Sequence, residues 1–184
     1  MNESDPQLEV EFVFGHLDSH LKKDLQSFWK EHQQAYQQEL KAHVLKNRSS
    51  QTGAMIVTPL RRQPGAIARD RSGKIVGVVF VVLRELDASL KLGGHAYFQR
   101  MYICESCRGY QPTNQLFQSF VQGFAAATDL RDHRASCLMS ENMNPRLRNT
   151  FIRKYFAKLG FRMLGSNDID SEIWYLPLKT NYTL

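Results

Sequence analysis

The succession of periodic segments along this 184-residue chain predicts an α/β or α+β domain with a mixed sheet flanked by helices. Three observations carry that prediction. Strand-like and helix-like segments interleave as β, α, β, β, β, α, β, α, β, β. One strand-length run, Ile75 to Leu83, is apolar on both faces, as an interior strand of a covered sheet must be. The composition, 42% hydrophobic and 23% charged, is too apolar for a disordered or fibrous chain. The length suits one domain over 1–184, with no internal repeat and no low-complexity tract.

Residues 8–14, Leu-Glu-Val-Glu-Phe-Val-Phe, alternate apolar and polar as a half-buried first strand does, and Gly15 ends it. In the helical region 16–46, Leu17, Leu21, Leu25, Phe28, Trp29, His32, Tyr36, Leu40 and Val44 recur every three or four residues. That is an amphipathic pattern, either one long helix or two. Ala66–Asp70 and Ile75–Leu83 read as a hairpin closed by Arg71-Ser72-Gly73-Lys74, where the glycine supplies a positive φ. Gly93-Gly94 releases the chain into a strand from His95 to Ile103. A helix is expected from about Pro112 to Ala127, buried through Leu116, Phe120, Val121, Phe124 and Ala127. A strand at Ala135–Met139 follows, then a helix from about Pro145 to Leu159 buried through Leu147, Phe151, Tyr155 and Leu159, with Gly160 past its end. Strands at Phe161–Leu164 and Glu172–Leu178 close the C-terminal half, 135–178.

The formal charge is +6 and the pI near 9.3, which favours acidic partners without naming them. Three cysteines are too few for a disulfide framework, and Met1 to Pro6 lacks the basic-then-apolar pattern of a signal peptide, so a reducing cytoplasm is the expected compartment. The longest apolar run is about half of a bilayer span, so no membrane partner is expected.

Met101-Tyr102-Ile103-Cys104-Glu105-Ser106-Cys107-Arg108-Gly109-Tyr110-Gln111-Pro112-Thr113 is a strand that ends in an Arg-Gly turn and opens a helix. A helix start holds several unpartnered N–H groups and about half a positive charge, so this is an anion site. Further on, Asn149 to Phe161 is a helix ending in Lys-Leu-Gly-Phe.

These two stretches resemble the GNAT superfamily of acyl-CoA-dependent N-acyltransferases. The first is similar to its strand, aromatic-Arg-Gly-x-Gly-x-Gly/Ala turn and helix, and the second to its Asn…Tyr-x-x-Leu-Gly-Phe helix. The resemblance implies a GNAT-like, mostly antiparallel central sheet covering nearly the whole chain, with 95–127 as the acyl-CoA-binding strand, turn and helix. It implies acetyl-CoA, or another acyl-CoA, as co-substrate in a cleft between Met101–Ile103 and Ala135–Met139. The main chain of Met101, Tyr102 and Ile103 would hold the pantetheine arm. Arg108, Gly109, Tyr110, Gln111, Thr113 and Asn114 would cradle the pyrophosphate, and Asn149 and Phe156 would flank the thioester. The acceptor would be a primary amine on a small molecule, peptide or protein, met by region 16–46. Direct attack would be assisted by a main-chain N–H near Tyr102 or Ile103.

Gln111 and Thr113 depart from that pattern, since they stand where the family has Gly and Gly/Ala, and Pro112 removes a donor. Thr113 and Asn114 can return a hydroxyl and an amide. The family's acid tyrosine is here Phe156, with Tyr155 about 100° round the helix, and its strand glutamate is here Tyr97. Glu141 and Tyr155 are therefore the catalytic candidates, with His95 and Gln99 as substitutes on the strand.

Competing readings are kept beside these. Cys104-x-x-Cys107 suits a redox pair or half a zinc site, but no second pair accompanies it, so no metal is expected and two small buried residues suffice. The basic run Arg146, Arg148, Arg153, Lys154, Lys158 and Arg162 is first a solvated face, then an attractor for an acidic cofactor, and last a nucleic-acid surface. A non-catalytic acyl-CoA-sensing or protein-binding module of the same fold is the alternative to an enzyme. A basic nucleic-acid-binding protein is the third reading, resting on charge alone. A homodimer stays open.

Overall fold

Periodicity decides where the elements lie. The structure is a computed structural model that describes residues 8–46, 62–167 and 170–179. Strand β1 is Glu9–Phe12, shorter than expected, yet Val13 and Phe14 remain buried and both donate to the Gly65 carbonyl. Helix α1 is one unbroken helix, Ser19–Lys46. The Asp18 carboxylate accepts the Leu21 N–H at 2.7 Å and starts it. Leu17 therefore lies outside the helix and is exposed, and the Val44 side chain falls outside what is described. Strands β2 (Gln63–Arg69) and β3 (Ile75–Glu85) form the expected hairpin, with Gly73 at φ +82°. Strand β4 is His95–Ile103 at both predicted ends. Helix α2 is Tyr110–Ala126 and β5 is Ala135–Asn142, three residues longer than its apolar core.

The helix expected from Pro145 is broken. A single 3-10 turn, Pro145–Leu147, is capped by Asn144, and α3 begins only at Thr150 and runs to Lys158. Two asparagine side chains bond nearby backbone N–H groups, at Arg146 and Ile152, and compete with a continuous helix. Leu147 and Phe151 consequently face solvent instead of the core, while Tyr155, Phe156 and Leu159 pack inward. Strands β6 (Arg162–Ser166) and β7 (Glu172–Pro177) finish the sheet. No helix among the described residues is long and apolar enough to cross a membrane.

The seven strands lie in the order β1-β2-β3-β4-β5-β7-β6, and every neighbouring pair is antiparallel except β4 with β5. Helix α2 covers one face, where Leu116, Phe120 and Phe124 pack on Ala66, Ala68, Val79, Val81 and Tyr97. Helix α1 covers the other through Leu21, Leu25, Phe28 and Tyr36, which pack on Ile67, Val78, Phe80 and Tyr102. Interior strand β3 is thus apolar on both sides because both sides are covered. Close seating of α2 depends on Gly65, where an added Cβ would fall 2.5 Å from the Phe120 ring.

Gly65→Ala is expected to lower stability by about 1–3 kcal/mol through overpacking. Gly94→Ala, with nothing within 4 Å of the new atom, is expected to be near neutral. Urea unfolding midpoints of the two variants check the contrast.

Candidate functional site

Strands β4 and β5 pair from His95↔Ala135 to Gln99↔Ser140 and no further. Beyond that point β4 follows β3 to Ile103, and β5 follows β7 to Asn142, so a gap opens between them. The gap therefore lies past Met139, not along Ala135–Met139, because those residues are still held by the ladder. The Cys104 N–H donates to Val76 on β3 at 2.8 Å. Strand alternation then turns the main-chain groups of Ile103 and Met101 into the gap and those of Tyr102 toward β3. An oxyanion donor on this strand is Met101 or Ile103, not Tyr102.

A cavity of about 530 Å³ fills the gap. It reaches α1 at Tyr36, Glu39 and Leu40, the start of α2 at Gly109, Tyr110, Thr113 and Asn114, and α3 at Ile152, Tyr155 and Phe156. Parallel strands need a crossover, and here it is α2, whose N-terminus must lie at the C-terminal end of β4 beside the gap. Gly109 is extended, with φ 178°. A Cβ there would meet only Pro112, at an ordinary 3.4 Å. The fold itself does not require glycine at this place, so what the missing Cβ keeps open is the mouth of the cavity.

Among the described residues, five buried side-chain atoms without a hydrogen-bond partner belong to cavity-lining residues: the Tyr36 hydroxyl, Gln99 Oε1, Asn114 Oδ1, Asn142 Nδ2 and the Tyr155 hydroxyl. Tyr36, Gln99 and Asn142 are only 5%, 7% and 6% exposed. Each such atom costs about 1–3 kcal/mol when left unpaired, so their concentration around one cavity marks a place built to meet polar groups of a ligand. Burial, with Tyr110 adding to it, pushes the Tyr155 hydroxyl up to about 12, so it stays protonated at neutral pH. Glu141 lines the same cavity and has both oxygens engaged, one by Arg100 at 2.7 Å and one by Asn167 at 2.8 Å.

The structure brings together most of the residues singled out in the sequence. Met101, Tyr102, Ile103, Gly109, Tyr110, Thr113, Asn114, Glu141, Tyr155 and Phe156 all line the cavity. Others are placed differently. Arg108 lines it too, but its guanidinium is used inside the fold: it bonds the Ile103 carbonyl at 2.8 Å and Glu39 at 2.6 Å, and lies over the Tyr102 ring. Gln111 points to solvent and does not line the cavity. Asn149 is outside it as well, because its side chain caps α3, accepting the Ile152 N–H at 3.0 Å and donating to the Arg146 carbonyl at 2.9 Å. His95 begins β4 at the closed end, opposite Ala135. Tyr97 is core, edge-on to Phe14 and Phe124, and accepts the Asp132 N–H. Arg148 and Arg153 of the basic run pair with Asp170 and Glu172. Cys104 is buried and Cys107 half-buried, at a 3-10 turn, Glu105–Cys107.

Arg100 and Asn142 were not singled out from the sequence. The available signal for Arg100 was a charged residue in the middle of an interior strand. For Asn142 it was two amides closely following an apolar strand, at Asn142 and Asn144.

The sheet, with one parallel joint among the described strands that opens beside a crossover helix, has a GNAT-like fold. Solved structures with that fold superpose along its length. An acetyltransferase of the GNAT family from Listeria monocytogenes gives a TM-score of 0.53 at 11% identity over 97% of this chain and 99% of that one. A GNAT-family acetyltransferase from Streptococcus pneumoniae gives 0.52 at 12% over 94% and 100%. A GNAT superfamily phosphinothricin acetyltransferase from Sinorhizobium meliloti, in complex with AcCoA, gives 0.51 at 12% over 98% and 92%. No protein-family model and no curated protein matches the chain by sequence.

Asn149→Ala is expected to lower stability by about 1 kcal/mol, the usual effect of losing an N-cap, and to leave ligand affinity at the cleft unchanged. Thermal unfolding and a binding titration on the same sample read both.

Proposed function

We propose that the chain is an acyl-CoA-dependent N-acyltransferase, in first place an acetyltransferase, acting on a primary amine. The observation that carries this reading is the gap between β4 and β5. It offers the main-chain groups of Met101 and the N–H of Ile103 along one side, the Ile103 carbonyl being taken by Arg108, and leads to the start of α2 at Gly109. The residues fit the co-substrate. An extended amide-bearing arm can lie against the open strand as an added strand would. Tyr110 N–H, the Thr113 hydroxyl and Asn114 Nδ2 can donate to phosphate oxygens at the helix start, and Asn114 Oδ1 can accept from a water between them. On this reading Gln111 and Arg108, expected in the cradle, do not contribute side chains to it, and Asn149, expected beside the thioester, caps α3 instead.

The acceptor amine approaches from the α1 side. The Glu141 carboxylate takes the ammonium proton, and the neutral amine attacks the thioester carbon. A main-chain N–H of Met101 or Ile103 donates to the carbonyl oxygen as charge develops on it. As the C–S bond breaks, the Tyr155 hydroxyl, protonated at neutral pH, donates its proton to the departing sulfur, and the proton that the new amide nitrogen sheds returns to Tyr155 through water. The alternative, a module that binds acyl-CoA without transferring it, draws on the full engagement of Glu141 by Arg100 and Asn167; it predicts binding without turnover.

Isothermal titration with acetyl-CoA is the first test, and no binding at roughly hundreds of micromolar, corresponding to about −5 kcal/mol, sinks the reading. Gly109→Ala is expected to fold normally and to weaken acetyl-CoA binding about tenfold, equivalent to about 1.4 kcal/mol. Tyr155→Phe is expected to lower kcat by about 100-fold, the lower range for a proton donor, with little change in acetyl-CoA affinity. Thiol release across an amine panel measures the rate.

A further inference from the structure

On the α1 side of the sheet, next to the cavity, three arginines stand together. Phe80 of β3 pairs with Arg100 of β4, and Val82 with Phe98. Arg84 and Arg100 share the sheet face of Phe80 and Tyr102 by strand alternation. The Arg62 guanidinium lies 4.8 Å above the Phe80 ring and that of Arg84 5.6 Å from Phe98. Arg100 is paired with Glu141, but among the described residues neither Arg62 nor Arg84 has an ion pair. Arg62 Nε is buried without a hydrogen-bond partner.

Ring faces offset part of the cost of a buried cation, yet a guanidinium without a counter-ion remains expensive. The nearby acids are committed elsewhere, Glu141 to Arg100 and Glu39 to Arg108. The segment 47–61 that leads into Arg62 contains Arg48 and Arg61 and no Asp or Glu. Burial, followed by repulsion from Arg100 and Arg84, lowers the Arg62 pKa to about 10. The patch touches the cavity, because Arg100 and Tyr36 line it and the Tyr36 ring is 5.8 Å from Phe80.

We propose that Arg62, Arg84 and Arg100 bind an oxyanion carried by the acceptor, so that the amine this protein acylates also bears a carboxylate or a phosphoryl group. The identity of the bound molecule as acceptor rests on the acyl-transfer reading; the anion site does not.

The test compares β-alanine with β-alaninamide, and O-phosphoethanolamine with ethanolamine, at matched ionic strength. In wild-type protein the anionic member of at least one pair is expected to exceed its neutral counterpart about tenfold in kcat/KM, the effect of one charge-assisted hydrogen bond. Whichever pair shows the preference tells carboxylate from phosphoryl. Arg62→Gln and Arg84→Gln are each expected to bring the ratio toward one by raising KM. Neither is expected to change kcat or acetyl-CoA affinity. Without acetyl-CoA, the preferred anionic amine raises the unfolding temperature of wild type and not of Arg62→Gln.

Ratios near one in both pairs, ratios unchanged in both variants, or a loss confined to acetyl-CoA affinity overturn the proposal. If acetyl-CoA neither binds nor turns over while the anion-specific thermal shift persists, the anion site stands and the acyl-transfer reading falls. Transfer to amines with no anion preference does the reverse: acyl transfer stands and the anion site falls.

Discussion

One parallel joint organises the molecule. All other strand neighbours are antiparallel, so β4 and β5 are the place where the chain must leave the sheet, cross it by a helix and return. That crossover puts the first residues of α2 at the C-terminal end of β4. The two strands, held to different neighbours beyond Gln99 and Ser140, separate beside it. The cleft is thus a product of topology: wherever an open sheet changes direction, the crevice beyond the strand ends is where a ligand fits.

The side chains then divide the cleft. On the α2 side are glycine, amides, hydroxyls and free backbone donors. On the α1 side are aromatic rings and guanidinium groups, with Glu141 held between Arg100 and Asn167. Arg108 ties the end of β4 to α1 through Ile103 and Glu39. It therefore acts as a brace between the two sides, which explains why an arginine at this position need not face a phosphate.

What the sequence made legible follows the range of the interactions. Strand β4 was readable to the residue because its pattern and the glycines before it are local. The apolar run of β3 announced a strand covered on both faces. The helix break at Asn149 was not anticipated, because an asparagine inside an amphipathic pattern does not say whether it caps or is carried along. The separation of β4 from β5 depends on pairing between residues about forty apart in the chain, and no local pattern encodes it. The same holds for the unpaired hydroxyl of Tyr155 and for the company Arg62 keeps. Site residues on β4 and α2 could be named because a motif carries them; those on the α1 side could not, since their common location exists only once the sheet is formed.

The unpaired atoms around the cavity also bear on how the chain can change over time. Phenylalanine at Tyr36 would remove a buried hydroxyl that has no partner among the described residues and relieve the fold of its cost. Drift under pressure for stability alone would therefore close this chamber with apolar side chains, one position after another. On the acyl-transfer reading, contact with a ligand is what preserves its polar lining.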